Sequence, residues 1–309
     1  MNEYRYDRAP SPSIIAELGK SAELMALLRT RSVAGLRLDV HFREDDHVHL
    51  YCGLTRLLDV AFRGQKLVAS AHPTYALQPC AAALMRTWVQ PFAGFAAALD
   101  TYFTAVVVDP MLVQREGAVQ EAWSGVTSPW TAFDREAVIG YPSRNARTEA
   151  RTFPSVNAAQ TGLLRIAAEE RWAAPPVAKV GAELDQLAID DAGRLVLLEL
   201  KDAAASPASV FYAPLQVLQY AHEWAAALPG LLPNLQRQID ARVALGLMVD
   251  RKVRLTGELR VAVGFGSDRR SAEVRRRYER VVEEVRPFLP AGVQEIETWA
   301  LVDKGPVRL

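Results

Sequence analysis

Residues 195–201, which read Leu-Val-Leu-Leu-Glu-Leu-Lys, are the stretch that most constrains the fold of this chain. In an extended segment successive side chains point to opposite faces, so this one would be mostly apolar on both. Such a strand needs cover on both sides, which is typical of a sheet flanked by helices. The surrounding sequence alternates accordingly, with strands predicted at 183–189, 259–265 and 296–302 and helices at 155–172, from 214 onward and at 271–285. We therefore predict an α/β fold for the second half of the chain.

Two charged residues interrupt the apolar strand. Glu199 and Lys201 lie two positions apart, so both side chains point to the same face. Burying either charge without a partner costs several kcal/mol, so each needs compensation. If the preceding turn is centred on Ala192, Asp185 lies directly opposite Glu199 on the neighbouring strand, with Cβ atoms about 4.5–5.5 Å apart. Two carboxylates at that separation repel each other unless a cation or a proton lies between them.

An acidic pair beside a lysine favours a metal-dependent hydrolase. Carboxylate oxygens together with water are the ligands that Mg²⁺ prefers. We predict that Asp185 and Glu199 bind Mg²⁺, for which Mn²⁺ would substitute. Lys201 would orient or deprotonate the attacking water and stabilise charge on a phosphate. The reaction expected from these groups is hydrolysis of a phosphodiester bond.

The spacing of these residues resembles a known motif. Asp185, thirteen intervening residues and then Glu199-Leu200-Lys201 resemble the core of the PD-(D/E)XK nuclease superfamily. The segment Gln216-Val-Leu-Gln-Tyr220 is similar to the Gln-x-x-x-Tyr element on the next helix of the RecB-type and mismatch-endonuclease-type branches. The resemblance is strongest over residues 181–220, and the order of helices and strands agrees with it more weakly over 145–302.

The resemblance implies a fold, an activity and two further site residues. The fold would be a restriction-endonuclease-like mixed sheet flanked by helices in the C-terminal half. The activity would be cleavage of nucleic acid, DNA more often than RNA. Gln216 and Tyr220 are four residues apart and share a helical face. From that face they would orient Lys201 or the scissile phosphate.

Two positions depart from the superfamily pattern. Leu184 stands where a proline usually precedes the first aspartate. The family also places a glutamate on the helix before the hairpin, and the sequence does not choose between Glu149, Glu169 and Glu170. The alternative function is a catalytically inactive nuclease-fold protein that acts as a nucleic-acid-binding or protein-interaction module. In that case the charged groups of the hairpin would form a structural ion pair.

The charge balance limits how the chain binds a polyanion. It carries 36 Lys and Arg against 36 Asp and Glu, so binding through bulk positive charge is excluded and any such site is local. Arg275, Arg276 and Arg277 lie in the densest basic stretch and are predicted to contact nucleic-acid phosphates. The glutamates interleaved with them favour a second interpretation, a solvated helix with pairs four residues apart.

The first part of the chain has a different pattern. Period-two alternation from residue 35 to 71 predicts an antiparallel meander, and apolar helical segments follow to residue 125. Residues 123–147 are rich in Gly, Pro and Ser, which favours a domain boundary. We predict an α+β domain at 1–140 with a regulatory, specificity or partner-binding role, and the nuclease-like domain at 141–309. Through the first domain the chain would form a homodimer or bind a protein partner.

The predicted meander contains three histidines. His47 and His49 share a strand face, and His41 lies on the strand before them. A metal cluster is one interpretation of this spacing. A solvated polar face is the other, and it accounts for a His-x-His pair more often than a metal does.

Cysteine usage and hydropathy indicate the compartment. Cys52 and Cys80 do not have metal-ligand spacing, which excludes a disulfide framework and a zinc ribbon. The most apolar run, residues 92–108, contains Asp100 and is bounded by prolines, so we predict a core element without membrane contact. The N-terminus lacks the layout of a secretory signal. These features predict a cytoplasmic protein.

Overall fold

The computed structural model of the chain describes residues 4–63, 66–84, 87–89, 93–172, 181, 183–202, 207–267, 270–302 and 305–309. The chain divides into two compact units. The sheet unit comprises Met1–Tyr6, Gly125–Pro233 and Arg251–Leu309, and the meander unit comprises Asp7–Ser124 and Asn234–Asp250. Both units combine helices with sheets, so the fold is mixed α and β.

The meander unit is built on an antiparallel sheet. In chain order its elements are α1 (Pro12–Gly19), α2 (Ala22–Thr30), β1 (Ser32–Val33), β2 (Leu36–Arg37), β3 (Asp39–Arg43), β4 (His47–Cys52), β5 (Thr55–Arg63), β6 (Lys66–Ala71), β7 (Thr87–Val89), α3 (Ala93–Ala105), α4 (Pro110–Val113) and α5 (Glu116–Ser124). Strands β3 to β6 pair in sequence order, which confirms the predicted meander, and β7 adds a fifth strand within residues expected to be helical. One sheet face contributes Leu50 and Leu58 to an apolar cluster that also contains Phe95 and Leu99 of α3.

Two features of the meander unit differ from the sequence prediction. The helix expected over 13–30 is two helices, because the Ser21 hydroxyl accepts the amide N–H of Leu24 at 3.1 Å and caps α2. The polar face of the meander is also less solvated than expected. His41 is buried, and its Nε2 lies 2.8 Å from an oxygen of Asp39.

The sheet unit is built on a six-stranded mixed sheet. In chain order its elements are β8 (Trp130–Ala137), α6 (Arg144–Ala150), α7 (Pro154–Glu169), β9 (Leu184–Asp190), β10 (Leu195–Lys201), α8 (Pro207–Ala244, whose last residues belong to the meander unit), β11 (Leu259–Phe265), α9 (Ala272–Val285), β12 (Ile296–Val302) and β13 (Gly305–Arg308). The strand order is β13-β12-β11-β10-β9-β8. Strands β10, β11 and β12 are parallel, and the remaining pairings are antiparallel.

The central strands are buried, as their composition predicts. Leu197 of β10 and Val261 of β11 have no exposed surface. Helix α9 has the complementary amphipathic pattern, because Tyr278, Val281 and Val285 recur three and four residues apart and are its buried residues. A strand that is apolar on both faces is thus accommodated in the interior of a covered sheet.

The stretch predicted to contain the domain boundary includes a strand. Residues 130–137 form β8 and pair with β9 at the edge of the sheet. Trp130 and Phe133 are fully buried there. Burial of two large aromatic side chains therefore outweighs the local Gly, Pro and Ser signal.

Helix α8 is longer than predicted. It begins at Pro207 rather than at Pro214, and Pro214 lies inside it. A proline inside a helix removes one backbone hydrogen bond. The helix persists because the residues that follow, including Leu215 and Leu218, are completely buried.

The units also divide the chain at places other than the predicted boundary between 140 and 141. The second segment of the sheet unit begins at Gly125, because β8 pairs with β9. Residues Asn234–Asp250 belong to the meander unit, because Ala241 and Leu245 lie in its apolar cluster. Both segments therefore belong to the unit against which they pack, and their position along the chain does not determine it.

Hydropathy of the helices gives a limited result. Within the described ranges no single helix has the length and apolar character to cross a membrane, and the pair Gly94–Ala105 and Pro110–Ser124 meets that criterion only jointly, across a 108° bend. Phe95, Leu99 and Tyr102 of α3 are buried in the core of the meander unit, as predicted for residues 92–108.

Candidate active site

Strands β9 and β10 bring the two predicted metal-binding carboxylates together. Their antiparallel ladder ends at the pair Leu198 and Gln186, and its register is the one expected for a turn centred on Ala192. Glu199 and Asp185 are the residues next to this last pair, and Asp185 contacts β10 through the Leu200 N–H. Asp185 is half-buried, whereas only 3% of Glu199 is exposed. The acidic pair therefore lies where the buried strand pair approaches solvent.

Each carboxylate has a positively polarised neighbour. Lys201 Nζ lies 2.5 Å from Glu199 Oε1, so the two residues form an ion pair on one face of β10. Asp185 Oδ2 accepts the backbone N–H of Leu200 at 2.6 Å. Such charge-assisted bonds offset part of the cost of removing the carboxylates from water. Asp185, Glu199 and Lys201 thus form one cluster, which we call the hairpin cluster.

Tyr220 lies beside the hairpin cluster but bonds to the backbone. Its hydroxyl donates to the carbonyl oxygen of Glu183 at 2.7 Å, and the side chain is buried. Burial raises the pKa of Tyr220 far above its ordinary value, and the charges of Glu199 and Asp185 raise it further. The phenol therefore remains protonated and continues to donate at neutral pH. Its hydrogen bond stabilises the chain that enters β9.

Gln216 lies on the same face of α8, one turn before Tyr220. Its side chain is half-buried. In the described part of the chain no hydrogen bond joins Gln216 or Tyr220 to Lys201, which pairs instead with Glu199. The predicted role of this helical pair in orienting the lysine is therefore not seen in the side-chain contacts.

A second polar cluster next to Tyr220 was not singled out from the sequence. Buried Glu223 accepts a hydrogen bond from the Tyr141 hydroxyl, and its Oε2 lies 3.1 Å from Arg151 Nε. Arg151 also donates to the carbonyl oxygen of Gly181. Burial raises the pKa of Glu223, although the charge of Arg151 works in the opposite direction. The only local signal for this cluster is that Glu223 follows Tyr220 by three residues, on the same side of α8.

Together the two clusters fix the approach to β9. Tyr220 bonds to the carbonyl of Glu183 and Arg151 bonds to the carbonyl of Gly181. Both carbonyls lie within four residues of Asp185 along the chain. The position of the Asp185 carboxylate therefore depends on α8 and on the chain before α7, as well as on its own strand.

The three glutamates that were considered as a further metal ligand lie away from the hairpin cluster in their contacts. Glu149 lies on α6 and is exposed. Glu169 forms an ion pair with Arg165, and Glu170 accepts the indole N–H of Trp172 at 2.9 Å. Glu223 lies closer to the cluster, since its charge raises the pKa of Tyr220 together with the charges of Asp185 and Glu199.

The three arginines predicted to contact phosphates do not share one face of α9. The side chain of Arg276 is 66% exposed and that of Arg277 only 21%. Arg277 pairs with Glu273 at 2.6 Å and lies over the ring of Trp172. Successive residues of a helix point about 100° apart, so Arg275, Arg276 and Arg277 diverge. Of these three, Arg276 is the side chain most accessible to a ligand.

The donor set of the hairpin cluster fits a small divalent cation. Asp185 and Glu199 offer carboxylate oxygens from neighbouring positions on adjacent strands, next to the last pair of the ladder. Mg²⁺ is commonly held by one or two carboxylates while it keeps several waters. The partly exposed side of Asp185 leaves room for such waters. Lys201 and the Leu200 amide now bond to the same carboxylates, so a bound cation would compete with both.

Comparison with known proteins gives no match: no protein-family model, no curated protein and no solved structure resembles this chain significantly. The resemblance to a nuclease superfamily therefore rests on the motif residues themselves. They are Asp185, Glu199, Lys201, Gln216 and Tyr220.

Proposed function

We propose that this protein is a metal-dependent nuclease that hydrolyses phosphodiester bonds, with DNA preferred over RNA as the substrate class. The observation that carries the proposal is the hairpin cluster, in which Asp185 bonds to the Leu200 N–H beside Glu199 and Lys201 pairs with Glu199 on one face of β10. The six-stranded mixed sheet around the hairpin supports a restriction-endonuclease-like core. The preference for DNA follows from the motif resemblance.

The chain's own groups have separate roles in this proposal. Asp185 and Glu199 would hold Mg²⁺, which would supply a polarised water and neutralise charge on the phosphate. Lys201 would leave its ion pair with Glu199 to orient or deprotonate the attacking water and to stabilise the negative charge that develops on the phosphate. Tyr220 and Arg151 would maintain the position of Asp185 through their bonds to the preceding backbone.

The proposal is tested with a panel of nucleic acids. The full chain would be incubated with double-stranded, single-stranded, branched and mismatched DNA and with RNA, in Mg²⁺, in Mn²⁺ and in EDTA. We expect metal-dependent cleavage of at least one DNA form. Asp185→Asn and Glu199→Gln each remove a ligand charge while preserving shape, so each should reduce cleavage by orders of magnitude. Lys201→Ala should reduce cleavage as strongly while it leaves metal binding largely intact.

Matched controls are available in the same unit. Asp191→Asn changes a side chain that is 80% exposed on the hairpin turn, and Glu258→Gln changes an exposed glutamate just before β11. Both controls should cleave like the parent. Cleavage by the parent that survives Asp185→Asn and Glu199→Gln would place the activity elsewhere, and a parent that cleaves nothing in any metal would overturn the proposal.

The ion pair between Lys201 and Glu199 favours a second candidate, an inactive nuclease-fold protein that binds nucleic acid or a protein partner. Removing either member of this pair strands a buried charge under both candidates, at a cost of about 3–5 kcal/mol, so the stability of those variants does not separate the two. A metal site also predicts that Asp185→Asn leaves stability unchanged or raised, because two carboxylates no longer repel each other. Melting curves with and without Mg²⁺ separate the two, since only a metal site makes the melting temperature of the parent rise with Mg²⁺.

A further inference from the structure

Strands β4 and β5 of the meander unit bring two histidines and an aspartate together. His47 and His49 share one face of β4, opposite the face that enters the core, and Asp59 on β5 is the direct cross-strand partner of His49. His47 Nδ1 lies 2.9 Å from Asp59 Oδ1, and His49 Nε2 lies 3.8 Å from Asp59 Oδ2. One ligand atom from each residue lies within 4.8 Å of the other two. His41, which the sequence associates with them, pairs instead with Asp39.

The three side chains are accessible without being fully solvated. Their exposed fractions are 24% for His47, 13% for His49 and 27% for Asp59. An ion can therefore enter from solvent and keep water on its open side. Zn²⁺ binds histidine nitrogen and carboxylate oxygen at about 2.0–2.2 Å, so two ligands of one ion are at most roughly 4.4 Å apart. The two separations from Asp59, 2.9 Å to His47 and 3.8 Å to His49, lie below this limit, and all three ligand atoms lie within 4.8 Å of one another, so small side-chain movements would bring them around one ion.

We propose that His47, His49 and Asp59 form a binding site for one divalent transition-metal ion such as Zn²⁺. Two imidazoles and one carboxylate with an open position are a recurrent protein ligand set for zinc and non-haem iron. The site lies in the meander unit and involves none of the residues of the hairpin cluster. It is therefore independent of the proposed nuclease activity.

The surrounding charges select the kind of metal. Arg56 Nη1 lies 3.1 Å from His49 Nε2, and exposed Arg63 has Nη2 3.5 Å from His47 Nε2. These guanidinium groups oppose any cation, and a single carboxylate does not compensate them. Mg²⁺ and Ca²⁺, which depend on several oxygen ligands, are thereby disfavoured. A transition metal gains its affinity from imidazole nitrogen and tolerates this environment better, provided that both guanidinium groups turn toward solvent.

Calorimetric titration of the metal-stripped full chain with Zn²⁺ tests the site. Excess Mg²⁺ is present throughout, so that the hairpin carboxylates are occupied and a failure of either proposal is seen separately. We expect one Zn²⁺ per chain. Loss of an outer-shell partner alone weakens metal sites roughly 10–100-fold, so His47→Ala and Asp59→Asn should weaken binding at least that much. His72→Ala, which changes a histidine of the same unit bonded to Thr74, should bind like the parent.

Arg56→Gln gives a test with a definite sign. Removing a positive charge beside His49 should tighten Zn²⁺ binding if the site takes a cation. If the cluster is instead an anion site, the same change should abolish binding of inorganic phosphate and leave Zn²⁺ binding unaffected. Melting curves of each variant verify folding, and Zn²⁺ should raise the melting temperature of the parent but not of Asp59→Asn. A parent that binds no Zn²⁺, or variants at positions 47 and 59 that bind it as tightly as the parent, would overturn the proposal.

Discussion

The hydroxyl of Tyr220 donates to the carbonyl oxygen of Glu183, two residues before Asp185. The motif resemblance implies that this tyrosine acts on Lys201 or on a phosphate. Its contacts indicate a positioning role instead, because a buried phenol with a strongly raised pKa is a persistent donor to the backbone. At the scale of the residue, Tyr220 therefore fits the motif by its spacing, but it acts on the candidate site by holding the backbone that precedes Asp185.

Replacing Tyr220 with phenylalanine tests this role. Tyr220→Phe leaves a backbone carbonyl without its donor, so we expect a loss of about 1–3 kcal/mol in the free energy of unfolding. Cleavage should fall much less than in Asp185→Asn, and it should recover as temperature is lowered if only positioning is affected. Tyr212→Phe on the same helix is the control, since within the described residues the Tyr212 hydroxyl has no hydrogen-bond partner. A loss of cleavage as deep as in Asp185→Asn, with unchanged stability, would make Tyr220 a catalytic residue.

A second set of charged residues stabilises the sheet at the turn between β9 and β10. Asp190 is buried and accepts hydrogen bonds from Arg194 Nε and Arg260 Nη1, both at 2.8 Å. Arg260 also forms a double hydrogen bond to Glu297, at 2.7 and 2.6 Å. Burial by itself would raise the pKa of each carboxyl, but the arginine bonds outweigh it. They hold the pKa of Asp190 below 3.8 and that of Glu297 below 4.5.

These lowered pKa values predict acid sensitivity. A carboxyl whose folded pKa lies below its unfolded pKa contributes stability at higher pH, and that contribution is lost as pH falls through the two values. The free energy of unfolding should therefore decrease as pH falls below about 4.5. Urea unfolding at a series of pH values measures this, and Asp190→Asn should flatten the decrease. Glu258→Gln, which changes an exposed glutamate of the same unit, should leave the slope as it is in the parent.

Helix α9 points the arginines of its basic stretch in different directions. Arg276 and Arg280 are four residues apart, are both largely exposed, and lie on one side of the helix. Arg277 turns toward Glu273 and Trp172. The basic surface of this element is therefore the pair 276 and 280, and the arginine at 277 contributes mainly to packing.

The two kinds of arginine should respond differently to neutralisation. If α9 contacts duplex phosphates, the double variant Arg276→Gln and Arg280→Gln should reduce the slope of log affinity against log salt by about 0.9 for each lost contact. Arg277→Gln should change that slope little and lower the melting temperature instead. Binding to DNA at several salt concentrations provides the slope. An unchanged slope in the double variant would leave α9 a solvated helix with no part in binding.

At the scale of the whole chain, neither unit is continuous in sequence. The meander unit takes Asn234–Asp250 from the second half, where Ala241 and Leu245 lie in its core and Arg242 donates to the carbonyl of Val40. The sheet unit takes β8 from before the predicted boundary. A cut near residue 140 therefore leaves each piece without a part of its own core.

This discontinuity predicts the behaviour of a nicked chain. A protease site placed at exposed residues 142–143, between β8 and α6, should be cut without separating the pieces. They should co-elute in gel filtration and melt together, because each unit spans both pieces. Residues 141–309 produced alone should lack a cooperative melt, since β9 loses its partner β8. Separation of the nicked pieces without denaturant, or a cooperative melt of 141–309 alone, would contradict this division of the chain.

Several features of this protein follow from local sequence. The strands at 195–201, 259–265 and 296–302 agree with prediction at both ends. The reason is that each is a mostly apolar run of seven residues, which is short for a helix and suits a strand in a covered sheet. The register that brings Asp185 and Glu199 to the same end of the β9–β10 ladder also follows locally, because a short turn fixes the register of the hairpin it closes.

Other features were decided only by tertiary contacts. Residues 130–137 become a strand because two aromatic side chains are buried against distant parts of the sheet, and no local pattern records that burial. The cluster of Arg151 and Glu223 joins residues 72 positions apart, and Asp59 meets His49 across a strand pair. A single sequence shows which residues can bear a charge or bind a metal. Which of them come within bonding distance depends on how the chain packs, since burial and long-range pairing are properties of the whole fold.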